Sequence, residues 1–127
     1  MILLESGVAG GNRIKKENVQ ETFANYIDKV LSIIPGFKHA TLSGSIKTGS
    51  KSDFGDLDLI VSFKGEDKKE VKQRIVDTIM ALPQDIIVPF KNDKYKGKRY
   101  YNSGEMISVL FPISGEPNQF IQVDNII

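Results

Sequence analysis

The stretch Gly55-Asp56-Leu57-Asp58-Leu59-Ile60-Val61 decides how this chain is read. Its apolar members are branched, and residues 57–63 are expected to form a buried strand that Gly65 ends. Side chains two apart on a strand share a face. Leu57 and Leu59 then point into a core, while Asp56 and Asp58 project together from the other side. Two carboxylates about 6–7 Å apart on one strand face repel, and one would normally be protonated. A hard divalent cation relieves that repulsion. Magnesium prefers one or two carboxylates, with water and substrate phosphates completing its shell. Taken alone, Asp-x-Asp at a strand start reads as a solvated turn feature.

The residues upstream change that weighting. Residues 39–43 (HATLS) read as a short strand, followed by the Gly-, Ser- and Asp-rich loop GSIKTGSKSDFGD. Gly44 at its start permits close backbone approach. Ser45 offers a hydroxyl and an N–H to a phosphate oxygen, and a helical turn there would add free N–H groups. One loop thus supplies phosphate donors, and the next strand supplies metal ligands. Together they suit a metal-bound nucleoside triphosphate.

Further out, Val19, Phe23, Tyr26, Ile27, Val30, Leu31 and Ile34 recur at helical spacing. Asn18 and Glu21 resemble a capping box, and Pro35-Gly36 ends the helix. Asp67 and Glu70 form a second such pair before the helical face Val71, Ile75, Thr78, Ile79 and Leu82, which Pro83 stops. Three apolar runs come next, Ile86–Phe90, Met106–Pro112 and Phe120–Ile127, each read as a strand. The order is that of an α/β domain with a mixed β-sheet.

Composition narrows the chemistry. The 127 residues form one domain, 1–127, with no internal repeat or linker. There is no cysteine, so disulfides, zinc fingers, iron–sulfur sites and a cysteine nucleophile are excluded. The single histidine, His39, excludes two-histidine metal sites, and its position before a strand reads as structural. Seventeen basic and sixteen acidic residues leave a net charge of +1, so any argument about charge must be local. No signal sequence or membrane span is seen, and a cytoplasmic protein is expected. Gly7, Gly10 and Gly11 lack the context of a P-loop.

The run SGSIKTGSKSDFGDLDLIV, with ten residues between Ser45 and Asp56, resembles the DNA polymerase beta-like nucleotidyltransferase superfamily. That family pairs Gly-[Gly/Ser] with a following Asp-apolar-[Asp/Glu]-apolar. The match is close over residues 42–61, and the order of elements extends it over most of the chain. The resemblance implies a mixed sheet of about five strands with helices mainly on one face. It also implies transfer of a nucleoside monophosphate from an NTP to an acceptor hydroxyl with release of pyrophosphate. Two Mg2+ ions, or Mn2+ in their place, would be held by Asp56, Asp58 and a third carboxylate from a neighbouring strand. Asp85, Asp93, Glu105 and Glu116 fall beside turns. Asp124 interrupts the apolar run FIQVDNII and shares a face with Gln122. It is taken as the third ligand and a helper in deprotonating the acceptor, against the alternative of an edge-strand aspartate facing solvent. Gly44 and Ser45 would hold the β and γ phosphates, with Lys47 as the nearest basic residue and Lys51 behind it.

The stretch KYKGKRYY offers Lys94, Lys96, Lys98 and Arg99 to acceptor phosphates, and Tyr95, Tyr100 and Tyr101 as stacking faces. A solvated basic hairpin is the alternative. Arg13, Lys15 and Lys16 form a second basic group. Because the chain stops just after Asp124, it is expected to be the N-terminal catalytic part of a longer protein or an unusually short member. The enzyme reading competes with a minimal nucleotidyltransferase-like antitoxin paired with a helical partner protein, and with a nucleotide-binding regulatory module.

Overall fold

The computed structural model describes residues 10–43, 52–65 and 67–127. The elements are β1 (Ile14–Lys15), α1 (Lys16–Lys29), a 3-10 turn (Leu31–Ile33), β2 (Phe37–Leu42), β3 (Asp53–Phe54) and β4 (Asp56–Phe63). After them come α2 (Lys68–Ala81), β5 (Tyr101–Ser103), β6 (Met106–Pro112) and β7 (Phe120–Ile126). Five strands make a mixed sheet in the order β2-β4-β7-β6-β5. Only β4 and β7 run parallel; the other neighbours are antiparallel. A parallel pair needs a long crossover, here α2 and the β5–β6 hairpin.

Alternation in the strands divides the two faces. Leu57, Leu59, Val61 and Phe63 of β4 meet Ile107, Val109 and Phe111 of β6 and Ile121 and Val123 of β7 in one core. Val19 and Tyr26 of α1 and Val71, Ile75 and Ile79 of α2 close it. Both helices therefore cover the same side of the sheet. A smaller cluster, Phe90 and Leu110 with Val88, Tyr95, Tyr101 and Phe120 around them, lies on the opposite side.

The ends of the helices follow from local chemistry, with one correction. Asp67 caps α2, its side chain accepting from Lys69 N–H at 2.9 Å. Asn18 does not cap α1. That helix starts three residues earlier than such a cap implies, at Lys16, because Ile14 and Lys15 pair with Phe54 and Asp53. The Lys16 N–H donates to the Ser52 carbonyl at 2.8 Å, so a backbone group does what Asn18 was expected to do. The apolar face continues past the helix through Val30, Leu31 and Ile34, all buried. Gly36 then turns the chain at φ +83°, where a Cβ would also strike the Arg74 guanidinium. Arg74 donates to the carbonyls of Pro35 and Lys64, joining α2 to the end of the β2–β4 pair where β2 begins and β4 stops.

Residues 86–90 are not a strand. The Pro83 carbonyl accepts from the N–H groups of Ile86 and Ile87, which curls the chain. Val88 makes one isolated bridge with Leu110, and Pro89 has no N–H to extend it. The fifth strand is instead β5, joined to β6 through Gly104 and Glu105, with Gly104 at φ +59°.

Candidate metal centre

The pleat of β4 puts Leu57 and Leu59 into the core, 1% and 0% exposed, and leaves Asp56 and Asp58 half-buried on the face away from the helices. β7 lies beside β4 in parallel, with Asp124 opposite Asp58 and Gln122 opposite Asp56. One carboxylate oxygen from each of Asp56, Asp58 and Asp124 lies within 4.8 Å of the others. The solvent-facing alternative for Asp124 is thereby corrected. β7 is an inner strand between β4 and β6, and Asp124 is 4% exposed.

A carboxylate buried that far needs donors. Ser108, opposite Asp124 on β6, donates its hydroxyl to Asp124 Oδ1 at 2.6 Å, and Gln122 Nε2 donates to the same oxygen at 2.8 Å. Both donors are neutral. They orient the carboxylate without cancelling its charge. On the helix side of β7, Tyr26 donates its hydroxyl to Asn125 Oδ1 at 2.9 Å, and Asn125 Nδ2 donates to the Ile107 carbonyl at 2.9 Å. Burial holds the Tyr26 phenol protonated, well above its ordinary range. This buried chain ties β7 to β6 and α1 next to Asp124.

The three acids strain one another. Burial pushes the Asp56 carboxyl up to about 7, and the charges of Asp58 and Asp124 add to it. Arg13 acts in the opposite direction on Asp56. Its guanidinium donates to Asp53 Oδ1 at 2.9 and 3.1 Å, which holds it at this end of β4. Asp58 is pushed up to about 6, by burial and then by Asp124. The donor set thus has three hard oxygens, with Asp56 and Asp58 driven toward protonation first by burial and then by neighbouring carboxylates. That chemistry fits a hard divalent cation.

The expected phosphate-binding residues Gly44, Ser45 and Lys47, and Lys51 behind them, lie outside the described residues. Before that segment, the Ser43 N–H donates to the Asp58 carbonyl at 2.9 Å. Among the basic residues of 91–99, the structure separates roles. Arg99 donates to the carbonyls of Met80, Leu82, Pro83 and Ile87 and so closes the C-terminal end of α2. Lys94, Lys96 and Lys98 are exposed. His39 is exposed on the edge strand β2. Ser108 and Arg13 carry no sequence signal for this site. Gln122 had one, its shared face with Asp124.

Among the described residues, no helix is long and apolar enough to cross a membrane. Compared with protein-family models and with curated proteins, the chain matches none.

Proposed function

We propose that the chain is a metal-dependent nucleotidyltransferase built on the DNA polymerase beta-like fold. It moves a nucleoside monophosphate from an NTP to an acceptor hydroxyl and releases pyrophosphate. The observation that carries this reading is the convergence of Asp56, Asp58 and Asp124 across the parallel β4–β7 pair. The mixed sheet with both helices on one face is compatible with it.

In this reading Asp56, Asp58 and Asp124 hold Mg2+, or Mn2+ in its place. The bound ions supply charge stabilisation at the attacking and leaving oxygens. The acceptor oxygen forms a bond to the α-phosphorus as the bond from that phosphorus to the bridging oxygen of pyrophosphate breaks. Asp124 takes the proton of the acceptor hydroxyl. Gly44, Ser45 and Lys47 are assigned to the β and γ phosphates.

The test is Mg2+-dependent release of pyrophosphate from each NTP, with an RNA and protein acceptor pool. Release that is lost in Asp56→Ala/Asp58→Ala supports the proposal. Nucleotide binding with no release supports the regulatory or antitoxin reading instead.

A further inference from the structure

β5 is an outer strand of the main sheet, and its hairpin decides which of its backbone groups are open. Ser103 pairs with Met106 across the turn Gly104-Glu105, and Tyr101 pairs with Ser108. A two-residue turn closes on a hydrogen-bonded pair, and such pairs alternate along an antiparallel ladder. Asn102, between those two pairs, therefore directs its own N–H and C=O away from β6, to the open edge. An open strand edge is a template for another strand.

α2 runs beside this edge. Tyr100 packs on the helix-side core, and Asn102, two residues on, shares its side. Lys72 Nζ donates to Asn102 Oδ1 and to the Gly104 carbonyl, while Arg99 reaches the Met80 carbonyl. α2 and residues 99–104 are thus antiparallel neighbours. Between them lie two clefts of about 710 and 470 Å3, which share Tyr100 and Asn102. The helix wall is one stripe, Lys69, Lys72, Gln73, Val76 and Met80, at three- and four-residue steps. It is about 16 Å long, the span of about five extended residues.

The groove is basic at both ends and apolar between them. Lys69 and Lys72 stand at one end and Lys98 at the other. Val76 is half-buried, and Met80 is 53% exposed. Lys69 and Lys98 are exposed and make no ion pair among the described residues. Among the described residues, no carboxylate lines either cleft. Glu105 in the hairpin turn is taken by Lys68, and Asp77 of α2 accepts from Gln73.

We infer that this groove binds an extended, acidic segment of a partner protein, which adds to β5 as a further strand. Its backbone pairs with Asn102. Every second side chain faces α2, so carboxylates meet Lys69 and Lys72 while an apolar side chain meets Val76 and Met80. A nucleic acid would use the lysines and leave the strand edge unpaired. A second copy of the chain would bring two basic edges together. The groove lies on the helix side of the sheet, and the inference does not depend on nucleotidyl transfer.

The experiment selects heptapeptides from a random display library on the full chain. A labelled selected peptide is then titrated by fluorescence anisotropy in EDTA. Enriched peptides should carry at least two Asp or Glu, with an apolar residue two positions from one of them. Lys69→Gln/Lys98→Gln, both on exposed side chains, should weaken binding about fivefold. Asn102→Pro removes the outward N–H, which an edge strand tolerates, and should also weaken binding about fivefold. Asn102→Ala keeps that N–H and should stay within about twofold of wild type. The inference is overturned if acidic sequences are not enriched, or if the lysine variant keeps wild-type affinity. It is also overturned if Asn102→Pro, melting like wild type, binds as Asn102→Ala does. Two further results would contradict it: a single-stranded RNA or DNA heptamer that displaces the peptide better than the unlabelled peptide does, or a sedimenting dimer that Asn102→Pro abolishes. Where Asn102→Pro fails to fold, the lysine variant decides.

Discussion

Asp58 on β4 and Asp124 on β7 face each other as register partners on two parallel strands. One is half-buried, and the other is 4% exposed. Their separation is therefore set by the ladder and not by flexible loops. A metal site built this way is preorganised, and it carries charge repulsion when no cation is present.

That repulsion has a pH signature. Asp56 titrates near 7 and Asp58 near 6 in the fold, against about 3.9 for an unfolded aspartate. Between those values the folded chain holds more protons than the unfolded chain, so stability falls as pH rises. The contribution is fully present below about pH 4 and is lost as pH passes through about 6 to 7. Melting in EDTA should show Asp56→Asn/Asp58→Asn gaining on wild type as pH rises from 5 to 8. A difference independent of pH would contradict the assignment.

Metal should act in the opposite direction. At pH 8, excess Mg2+ or Mn2+ is expected to raise the wild-type melting temperature by several degrees, on the order of 1–2 kcal/mol. At pH 5 protons compete for the same oxygens, and the shift should shrink. Asp124→Asn should lose most of the shift at either pH. Differential scanning fluorimetry with and without EDTA reads both effects.

Ser108 orients Asp124 Oδ1 from 2.6 Å. Ser108→Ala removes one of the two donors to a buried carboxylate, at a cost of about 1–3 kcal/mol. Metal affinity should fall by about tenfold, since outer-shell partners commonly contribute that much. Calorimetric titration with Mn2+ checks it. Ser108→Thr keeps the hydroxyl and should recover part of the affinity.

Arg99 is predicted to matter for the fold more than its lysine neighbours. Its guanidinium joins four carbonyls at and beyond the end of α2, and charged donors contribute about 1.5–3 kcal/mol each in such places. Arg99→Met should lower the melting temperature by roughly 5 °C or more, while Lys96→Gln should leave it within about 1 °C. Arg99→Lys should not restore it, because one ammonium cannot span the fork.

Much of this architecture is legible in the residues themselves. The β4 alternation, the buried stripes Val71-Ile75-Ile79 and Val19-Tyr26-Val30, and the run around Asp124 each carry a period that reads locally. Asp56 and Asp58 are legible for the same reason. The features that are not legible depend on partners far along the chain. β1 and β3 are two-residue strands that exist only because they find each other. The run Ile86–Phe90 is apolar like a strand, yet the Pro83 carbonyl and the missing N–H of Pro89 prevent a ladder. Ser108 reads as one more small residue in an apolar strand until the β6–β7 register sets it against Asp124. The local sequence likewise groups Arg99 with the exposed lysines around it, whereas its carbonyl partners belong to the end of another element.

If the three aspartates form a centre for nucleotidyl transfer, the α phosphorus of the nucleotide is the one that moves. NTPs labelled at the α or the γ phosphorus, with Mg2+ and a mixed pool of RNA and protein acceptors, measure this directly. Wild type should place α-label, and no γ-label, on an acceptor, and Asp56→Ala/Asp58→Ala should place neither. Transfer of γ-label, or α-label transfer that persists in the double variant, would contradict the proposed chemistry.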